Sequence, residues 1–440
     1  MIASVFCAAL ALVQLMLAVA ASTARAEPNG YSGSKLRDAS RIESHASSNA
    51  RLSALINEAL RNSPIILAAR SHWQALTRVP RQVSTLPDPT VGLTHFTVGS
   101  PQPFSGYETS DFYYSGFGFS QDIPGPGKLG LRAKQAQRDA EVAHDAYRLQ
   151  QRQVAEQVRE GYFNLFYLEK VNELLRQTRE QLAGVAETAE AQYHVAMAQQ
   201  QDVLKAQLEV TRILRDQELS RADFQQGQAN LKAVLGREQD SANLAIDEVK
   251  PSVLPFDERR LRELAIDNSP DLQQATAMEQ SSDAALEIAR HNYVPDFNLG
   301  YAFQKTGPGF RDYYMLTVGA TIPLYFWRKQ TPAVEQAALE KESAHANTYS
   351  KRLSIGSELR TQAVALRSAE RVMKLYNDGL IPQAEETQTS AQAAYRVGKV
   401  DFQTLLSAVI DVLRVKQEYY RTLADHEIAI AKIQTIVGDL

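Results

Sequence analysis

Cysteine is almost absent from this chain of 440 residues, in which Cys7 is the only one. It lies within Ile2–Ala20, an apolar stretch that precedes Ala24-Arg25-Ala26, a small-x-small pattern at which signal peptidase cuts. Residues 1–26 are therefore predicted to be a signal peptide. The alternatives are an anchoring helix, disfavoured because the run is short, and lipidation, disfavoured because Cys7 comes too early. A mature chain starting at Glu27 would have no thiol, which excludes disulfides, zinc–thiolate sites and cysteine nucleophiles.

Excess positive charge and long apolar runs are also missing. The chain has 47 Lys and Arg against 51 Asp and Glu, a net charge of −4, and removal of Arg25 makes the balance more acidic. This composition argues against a nucleic-acid partner. Beyond residue 26, no apolar run reaches the roughly 18 residues that a transmembrane helix needs. Any insertion into a membrane is therefore expected to use strands.

The residue patterns of catalysis and metal binding are missing too. The eight histidines are scattered, with no His-x-x-x-His or His-Glu-x-x-His pair that could bind a metal. Gly125–Gly130 superficially resembles a phosphate-binding loop, but it lacks the required glycine spacing and the Ser or Thr after Lys128. No spacing indicates a nucleophile with its base and orienting group. We therefore expect a protein that is not an enzyme and that has no cofactor and no resident metal.

What the sequence does contain is a duplication. Asn-Ser-Pro occurs at 62–64 and again at 268–270, and residues 193–236 align without a gap onto residues 395–438. Such repetition, at an offset of about 200 residues, indicates that one structural unit was copied. We place the first repeat at 27–238, a linker at 239–256 and the second repeat at 257–440.

Each repeat is predicted to contain a helix, two short strands and two very long helices. The first helices run from about Arg51 to Val79 and from about Asp257 to Tyr293, each with a re-start near its Asn-Ser-Pro. No proline occurs from Lys128 to Lys250, so a helix from about Lys128 to His194 would be about 100 Å long. The Tyr-x-Val sequences at 193–195 and 395–397 mark turns between antiparallel helices, and Pro382 marks a kink or break.

Alternation with a period of two predicts the strands. In the second repeat, apolar and small or polar residues alternate over 297–304 and again over 313–322. The first repeat has a comparable run near 113–120 and a noisier one at 90–98. Each strand is about ten residues long, which is enough to cross a bilayer when tilted, but four strands cannot close a barrel. Two chains would supply eight strands and three chains would supply twelve.

The ordered set of motifs resembles the TolC-type outer-membrane factors, the exit ducts of tripartite efflux pumps and type I secretion systems. The resemblance rests on the two Asn-Ser-Pro helices, Leu86–Pro89, Ser120–Pro124 and Ala394–Phe402. It implies a mixed, mainly α fold with an internal two-fold repeat. The implied assembly is a homotrimer with a twelve-stranded transmembrane β-barrel, a periplasmic barrel of long α-helical hairpins and an equatorial collar that contains the linker.

The same resemblance implies the location and the partners. The protein is expected in the outer membrane of a Gram-negative bacterium, in contact with outer-membrane lipid and extending into the periplasm. A periplasmic adaptor protein and an inner-membrane transporter, either proton-driven or of the ABC type, are the implied partners.

A periplasmic gate is implied at the two helix–helix turns, which run from Tyr193 to Asp202 and from Tyr395 to Asp401. Asp202 matches the acidic gate partner on the first hairpin, and Tyr395 matches the tyrosine on the second. An alternative role for Asp202 is to cap the N-terminus of a helix.

The match to the family's gate and pore is incomplete. The usual basic gate residue falls on Val400, and Arg396 and Lys399 are the nearest substitutes. The family's inward acidic ring falls on Thr404 and Ser407, which are therefore predicted to line the pore without the carboxylates of a cation filter.

Three functions fit these patterns. The first is the exit channel of a tripartite efflux pump, the second is a type I protein secretion duct, and the third is a periplasmic coiled-coil adaptor or structural protein. The third leaves the four alternating strands unexplained. Leu380–Glu385 and Tyr395–Phe402 resemble the heavy-metal efflux branch of the family more than the multidrug branch. Heavy-metal cations are therefore the expected cargo.

Overall fold

The computed structural model describes residues 50–97, 113–195, 199–254, 257–307 and 309–438. The predicted signal peptide at 1–26 lies outside these ranges.

The first repeat consists of five helices and two strands within the described residues. In chain order they are α1 Ala50–Asn62, α2 Pro64–Leu76, α3 Val79–Ser84, β1 Thr90–Thr97, β2 Tyr113–Ile123, α4 Lys128–His194 and α5 Gln200–Leu235. The re-start predicted near Asn62 is present, because Ser63 is extended and Pro64 opens α2, where its fixed φ suits the first helical turn. A second interruption, between α2 and α3, was not predicted.

The second repeat follows the same order. Its elements are α6 Glu258–Asn268, α7 Pro270–His291, β3 Asp296–Thr306, β4 Tyr313–Thr321, α8 Gln330–Leu375, α9 Ile381–Arg396 and α10 Phe402–Val437. A π-helical segment, Tyr376–Leu380, joins α8 to α9. Pro382 lies in the first turn of α9, where a missing backbone N–H is tolerated. The irregularity expected at Pro382 is therefore a π-helical turn that ends just before it.

The four strands form one antiparallel sheet in the order β1-β2-β3-β4. In its register, Phe117 lies opposite Phe303, and Tyr301 lies opposite Leu316. Since opposed residues share a face, the sheet has one mainly apolar face and one face of small or polar residues. The apolar face contains Val91, Leu93, Phe117, Phe119, Ile123, Phe297, Leu299, Tyr301, Phe303, Tyr314, Leu316 and Val318.

The two copies of the Tyr-Tyr pair do not face the same way. Tyr113 lies on the apolar face of β2, whereas Tyr313 lies opposite Gln304 on the face of small or polar residues. Tyr114 and Tyr313 consequently share that face, where their rings are 5.9 Å apart in an edge-on arrangement. The Tyr-Tyr motifs of β2 and β4 match in sequence, but in the sheet Tyr113 of β2 faces the same way as Tyr314 of β4, one residue further along.

The long helix α4 is the centre of the helical packing. It contacts α5 of its own repeat and also α7 and α10 of the second repeat. Tyr162, Val154 and Val158 on α4 are fully buried in a cluster that includes Leu423 of α10. Burial of this apolar surface is the main stabilising contribution to the join between the repeats.

The linker is fixed to the helices by buried polar contacts. Gln228 on α5 both donates to the Leu244 carbonyl and accepts from the Leu244 N–H, each at 2.8 Å. Further along, Glu427 of α10 accepts from the backbone N–H and the hydroxyl of Ser252, each at 2.7 Å. These contacts satisfy polar groups of a segment without regular secondary structure.

A repeated contact explains why Asn-Ser-Pro recurs together with a glycine. Gly236 and Gly438 follow α5 and α10 with φ of 73° and 92°. A Cβ added at Gly236 would lie 2.7 Å from the carbonyl oxygen of Asn62, and one at Gly438 would lie 2.6 Å from that of Asn268. Each Asn-Ser-Pro break thus presents its carbonyl to the glycine that ends the last helix of the same repeat.

Gly236→Ala and Gly438→Ala are expected to lower the midpoint of thermal unfolding of the detergent-solubilised protein. A left-handed backbone costs an ordinary residue about 1–2 kcal/mol, and the clash with a backbone oxygen adds to this cost. Gly184→Ala is the control, because a Cβ at this position within α4 would have no atom within 4 Å. The control should be neutral or stabilising, and equal midpoints for all three variants would contradict the role given to the two glycines.

Candidate functional site

The two helix–helix turns lie at one apolar cluster. Four helix ends meet there, because Leu182 of α4, Ala206 of α5, Tyr395 of α9 and Phe402 of α10 all belong to it. A hydrogen bond of 3.2 Å from Gln388 Nε2 to Gln181 Oε1 also joins α9 to α4. Both predicted gate turns are therefore at the same end of the helical region, although they come from different repeats.

Among the predicted gate residues, Tyr395 is the one that is buried. Its side chain is in ring contact with Phe402 at 6.0 Å, and among the described residues its buried hydroxyl has no hydrogen-bond partner. Burial raises the pKa of the Tyr395 phenol, and the negative charge of Asp202 raises it further. The structure thus brings Tyr395 and Asp202 close together. Tyr193, the equivalent of Tyr395 in the first repeat, is 43% exposed.

The two aspartates also cap the helices that leave the turns. Asp202 is the third residue of α5 and forms a capping box with Gln199, whose backbone N–H donates to it at 3.4 Å. Asp401 precedes α10 and accepts from the Thr404 N–H at 2.9 Å. The capping role considered for Asp202 is therefore present, and it leaves the carboxylate near Tyr395. Each repeat therefore has one carboxylate at its helix–helix turn: Asp202 is the third residue of α5, and Asp401 is the N-cap residue of α10.

Lys205 is a residue of this site that the sequence did not indicate. Hydrogen bonds from Thr404 are the main cause of the low pKa of the Asp401 carboxyl, and the charge of Lys205 on α5 lowers it further. The two hairpins therefore bring opposite charges together, with the cation on the first hairpin. One clue was available in the sequence, because Lys205 follows Asp202 by three residues and so shares its helix face.

The predicted substitutes for the basic residue occupy other surroundings. Arg396 and Lys399 are exposed, and neither forms an ion pair with another of the residues described. Val400 is partly buried against the apolar cluster. Thr404 and Ser407 are exposed on α10, where Thr404 donates to Asp401 and Ser407 accepts from Gln403 at 3.5 Å.

The described part of the chain contains no group of three or more His, Cys, Asp and Glu that could hold a metal ion. No described helix is long and apolar enough to cross a membrane.

Comparison with known proteins identifies the fold. The profile of the family described as outer membrane efflux protein matches residues 55–237 and 261–439. No curated protein sequence is a significant match to this chain.

Three solved structures illustrate the likeness. CusC has a TM-score of 0.77 at 15% identity, and the match covers 90% of this chain and 94% of the CusC chain. The CmeC outer membrane channel of Campylobacter jejuni has a TM-score of 0.77 at 13% identity, over 95% of this chain and 90% of its own. The outer membrane protein VceC of Vibrio cholerae has a TM-score of 0.75 at 15% identity, and the match covers 91% of this chain and 97% of VceC.

The duplicated helices, the sheet with an exposed apolar face and the paired turns match the fold of solved outer membrane channels such as CmeC. The chain belongs to the outer membrane efflux protein family, also called the TolC family, whose profile matches both repeats. It is an efflux channel that extends into the periplasm, and it is a transport protein rather than an enzyme. The family, the channel function and the location predicted from the sequence are confirmed.

Proposed function

We propose that three copies of the chain assemble into one channel with a twelve-stranded barrel in the outer membrane. The supporting observation is the sheet: β1 and β4 are its outer strands, and each pairs along one edge only among the described residues. Free edges are unfavourable in lipid, because no water is present to satisfy the backbone groups. Pairing of β4 with β1 of the next copy closes the sheet, and three copies give the twelve strands.

The orientation of the faces supports the same assembly. Leu316 is 62% exposed and Val318 is 72% exposed, and both lie on the apolar face. Exposure of a contiguous apolar face is costly in water but favourable in lipid. The opposite face, with Gly118, Gly300 and Thr317, then lines a polar lumen.

The cluster that joins the two turns is proposed as the periplasmic gate. Tyr395 with Asp202, and Asp401 with Lys205, hold the inner and outer hairpins together in the resting state. Thr404 and Ser407 line the pore above them as neutral residues. A periplasmic adaptor and an inner-membrane transporter, proton-driven or of the ABC type, complete the pump and open this gate.

Heavy-metal cations are the proposed cargo. The support is the likeness of Leu380–Glu385 and Tyr395–Phe402 to the heavy-metal branch of the family. The neutral Thr404 and Ser407 provide no cation-selective carboxylates. Selection of the metal would then belong to the transporter and the adaptor, and this chain would supply the aqueous path.

Deletion of the gene is expected to sensitise cells to divalent or copper-group cations, because the exit path for these ions is lost. Growth on graded concentrations of metal salts, in parallel with organic toxicants and detergents, measures the effect. The control is complementation by the intact gene. Sensitivity to drugs and detergents with normal tolerance of metals would contradict the metal cargo and leave the channel function intact. Loss of an exported protein instead would indicate a type I secretion duct.

A further inference from the structure

The segment between β4 and α8, Ile322–Lys329, exposes an unusual set of large side chains. We call it the corner segment. Leu324 is 67% exposed, Tyr325 70% and Trp327 56%. Ile322 and Phe326 are also exposed, and Arg328 and Lys329 follow directly. Several exposed aromatic and aliphatic side chains next to two cations need a partner that is apolar on one side and anionic on the other.

The corner segment is ordered by its own hydrogen bonds. The N–H groups of Arg328 and Lys329 donate to the Tyr325 carbonyl at 3.0 and 3.1 Å, and that of Thr331 donates to the Phe326 carbonyl at 2.8 Å. The Phe326 and Trp327 rings meet edge-on at 5.2 Å. The aromatic side chains are therefore held together while they remain exposed.

Its position continues the apolar face of the sheet. Ile322 comes directly after β4, on which the residues of even number from Tyr314 to Ala320 form that face. The corner segment also precedes α8, so it lies at the end of the sheet that joins the long helices. In the proposed assembly this end meets the leaflet that faces the periplasm. Aromatic side chains with polar edges are enriched at such interfaces between membrane and water.

The corresponding corner of the first repeat lacks these features. Pro124–Gly127 contains no aromatic residue. Lys128, which follows it, is 5% exposed and forms an ion pair of 2.8 Å with Asp296. By contrast, Arg328 and Lys329 are exposed, and neither has an ion-pair partner within the described chain. Of the two corners, as far as the structure describes them, the second alone has two exposed cations without an ion pair.

We propose that the corner segment binds anionic phospholipids of the leaflet that faces the periplasm. Tyr325, Phe326 and Trp327 lie at the boundary between headgroups and acyl chains, and Arg328 and Lys329 bind the phosphates. Each cation near an anionic surface is expected to enrich such lipids by roughly fivefold. This inference rests on the proposed membrane-inserted assembly. One anchor per chain would give three around the channel.

Trp327 makes this proposal measurable. The chain has two tryptophans, so Trp73→Phe leaves Trp327 as the only one. This variant is reconstituted into phosphatidylcholine vesicles that contain an equal fraction of either brominated phosphatidylglycerol or brominated phosphatidylcholine. Bromine quenches tryptophan at short range, and we expect Trp327 fluorescence to be quenched several-fold more by the brominated phosphatidylglycerol.

Two double variants in the same background test the role of charge. Arg328→Gln with Lys329→Gln is expected to abolish the difference between the two lipids while quenching itself persists. Arg371→Gln with Lys374→Gln removes the same charge from exposed positions near the end of α8 and should keep the difference.

Conductance across planar bilayers, measured on the same preparations, separates the possible failures. Equal quenching by the two lipids in a conducting channel would overturn the selection of anionic headgroups. No quenching by either lipid in a conducting channel would show that a second copy covers the corner segment, and this would overturn the proposal. Absence of both conductance and quenching would contradict the proposed assembly itself, and the proposal with it.

Discussion

Leu316→Arg is expected to abolish the assembled channel, whereas Thr317→Arg, one residue further along β4, should leave assembly intact. Leu316 lies opposite Tyr301 on the apolar face, and Thr317 lies opposite Gly300 on the other face. An arginine facing lipid near the bilayer midplane costs about 2–4 kcal/mol, and a trimer incurs this cost once per chain. Native mass spectrometry in detergent measures the loss as the fraction of trimer remaining.

The matched pair also tests the assignment of the two faces. Thr317→Arg places three cations in the lumen, so this variant should shift ion selectivity in planar bilayers toward anions. Equal loss of trimer in both variants would contradict the register-based orientation of the sheet. For the unsubstituted protein, a stable monomer in detergent would contradict assembly altogether, whereas a stable dimer with eight strands would contradict only the number of chains.

Tyr395→Phe combined with Asp202→Ala is expected to raise single-channel conductance several-fold, because in the proposed gate the two groups hold the hairpins together at the narrow end. A hydrogen bond or ionic contact that these groups form in the closed gate would contribute about 1 kcal/mol, so either substitution alone should have a small effect. Lys205→Gln, which removes the cation beside Asp401, should act in the same direction. Single-channel recordings in planar bilayers provide the measurement.

Ser354→Ala is the control for the gate, since it alters an exposed neutral residue of α8 that lies outside the apolar cluster at the two turns. Its conductance should equal that of the unsubstituted protein. If the double variant also behaves like the unsubstituted protein, Asp202 serves only as a helix cap, and an unchanged Lys205→Gln would limit Asp401 to the same role, which their backbone hydrogen bonds already show.

The sequence predicts much of this fold because its local patterns agree with the tertiary structure. Alternation of apolar residues located β3 and β4, and the proline-free stretch together with the turn at Tyr193 located α4. The sequence did not predict on which face of the sheet equivalent residues of the two repeats lie. Tyr113 and Tyr313 match as a motif but lie on different faces, because strand register depends on pairing with neighbouring strands.

The proposed gate also depends on contacts between distant parts of the chain, which local sequence patterns do not predict. A motif match could propose Asp202 and Tyr395 as gate residues, because each aligns with a family position. Lys205 was missed because its electrostatic effect on Asp401 acts between hairpins of different repeats, and it depends on the packing of α5 near α10. The π-helical turn Tyr376–Leu380 was also not foreseen, since Pro382 accounts for an irregularity but not for its type.

The packing of α4 against α10 has a consequence for biogenesis. Tyr162 and Val158 are buried in a cluster that includes Leu423, in the last helix of the chain. A polypeptide that enters the periplasm amino terminus first exposes this apolar stripe until nearly all of its length has been translocated. Exposed apolar surface on an incomplete chain promotes aggregation. Until α10 docks, this stripe of α4 therefore remains open to contact with other apolar surfaces during export.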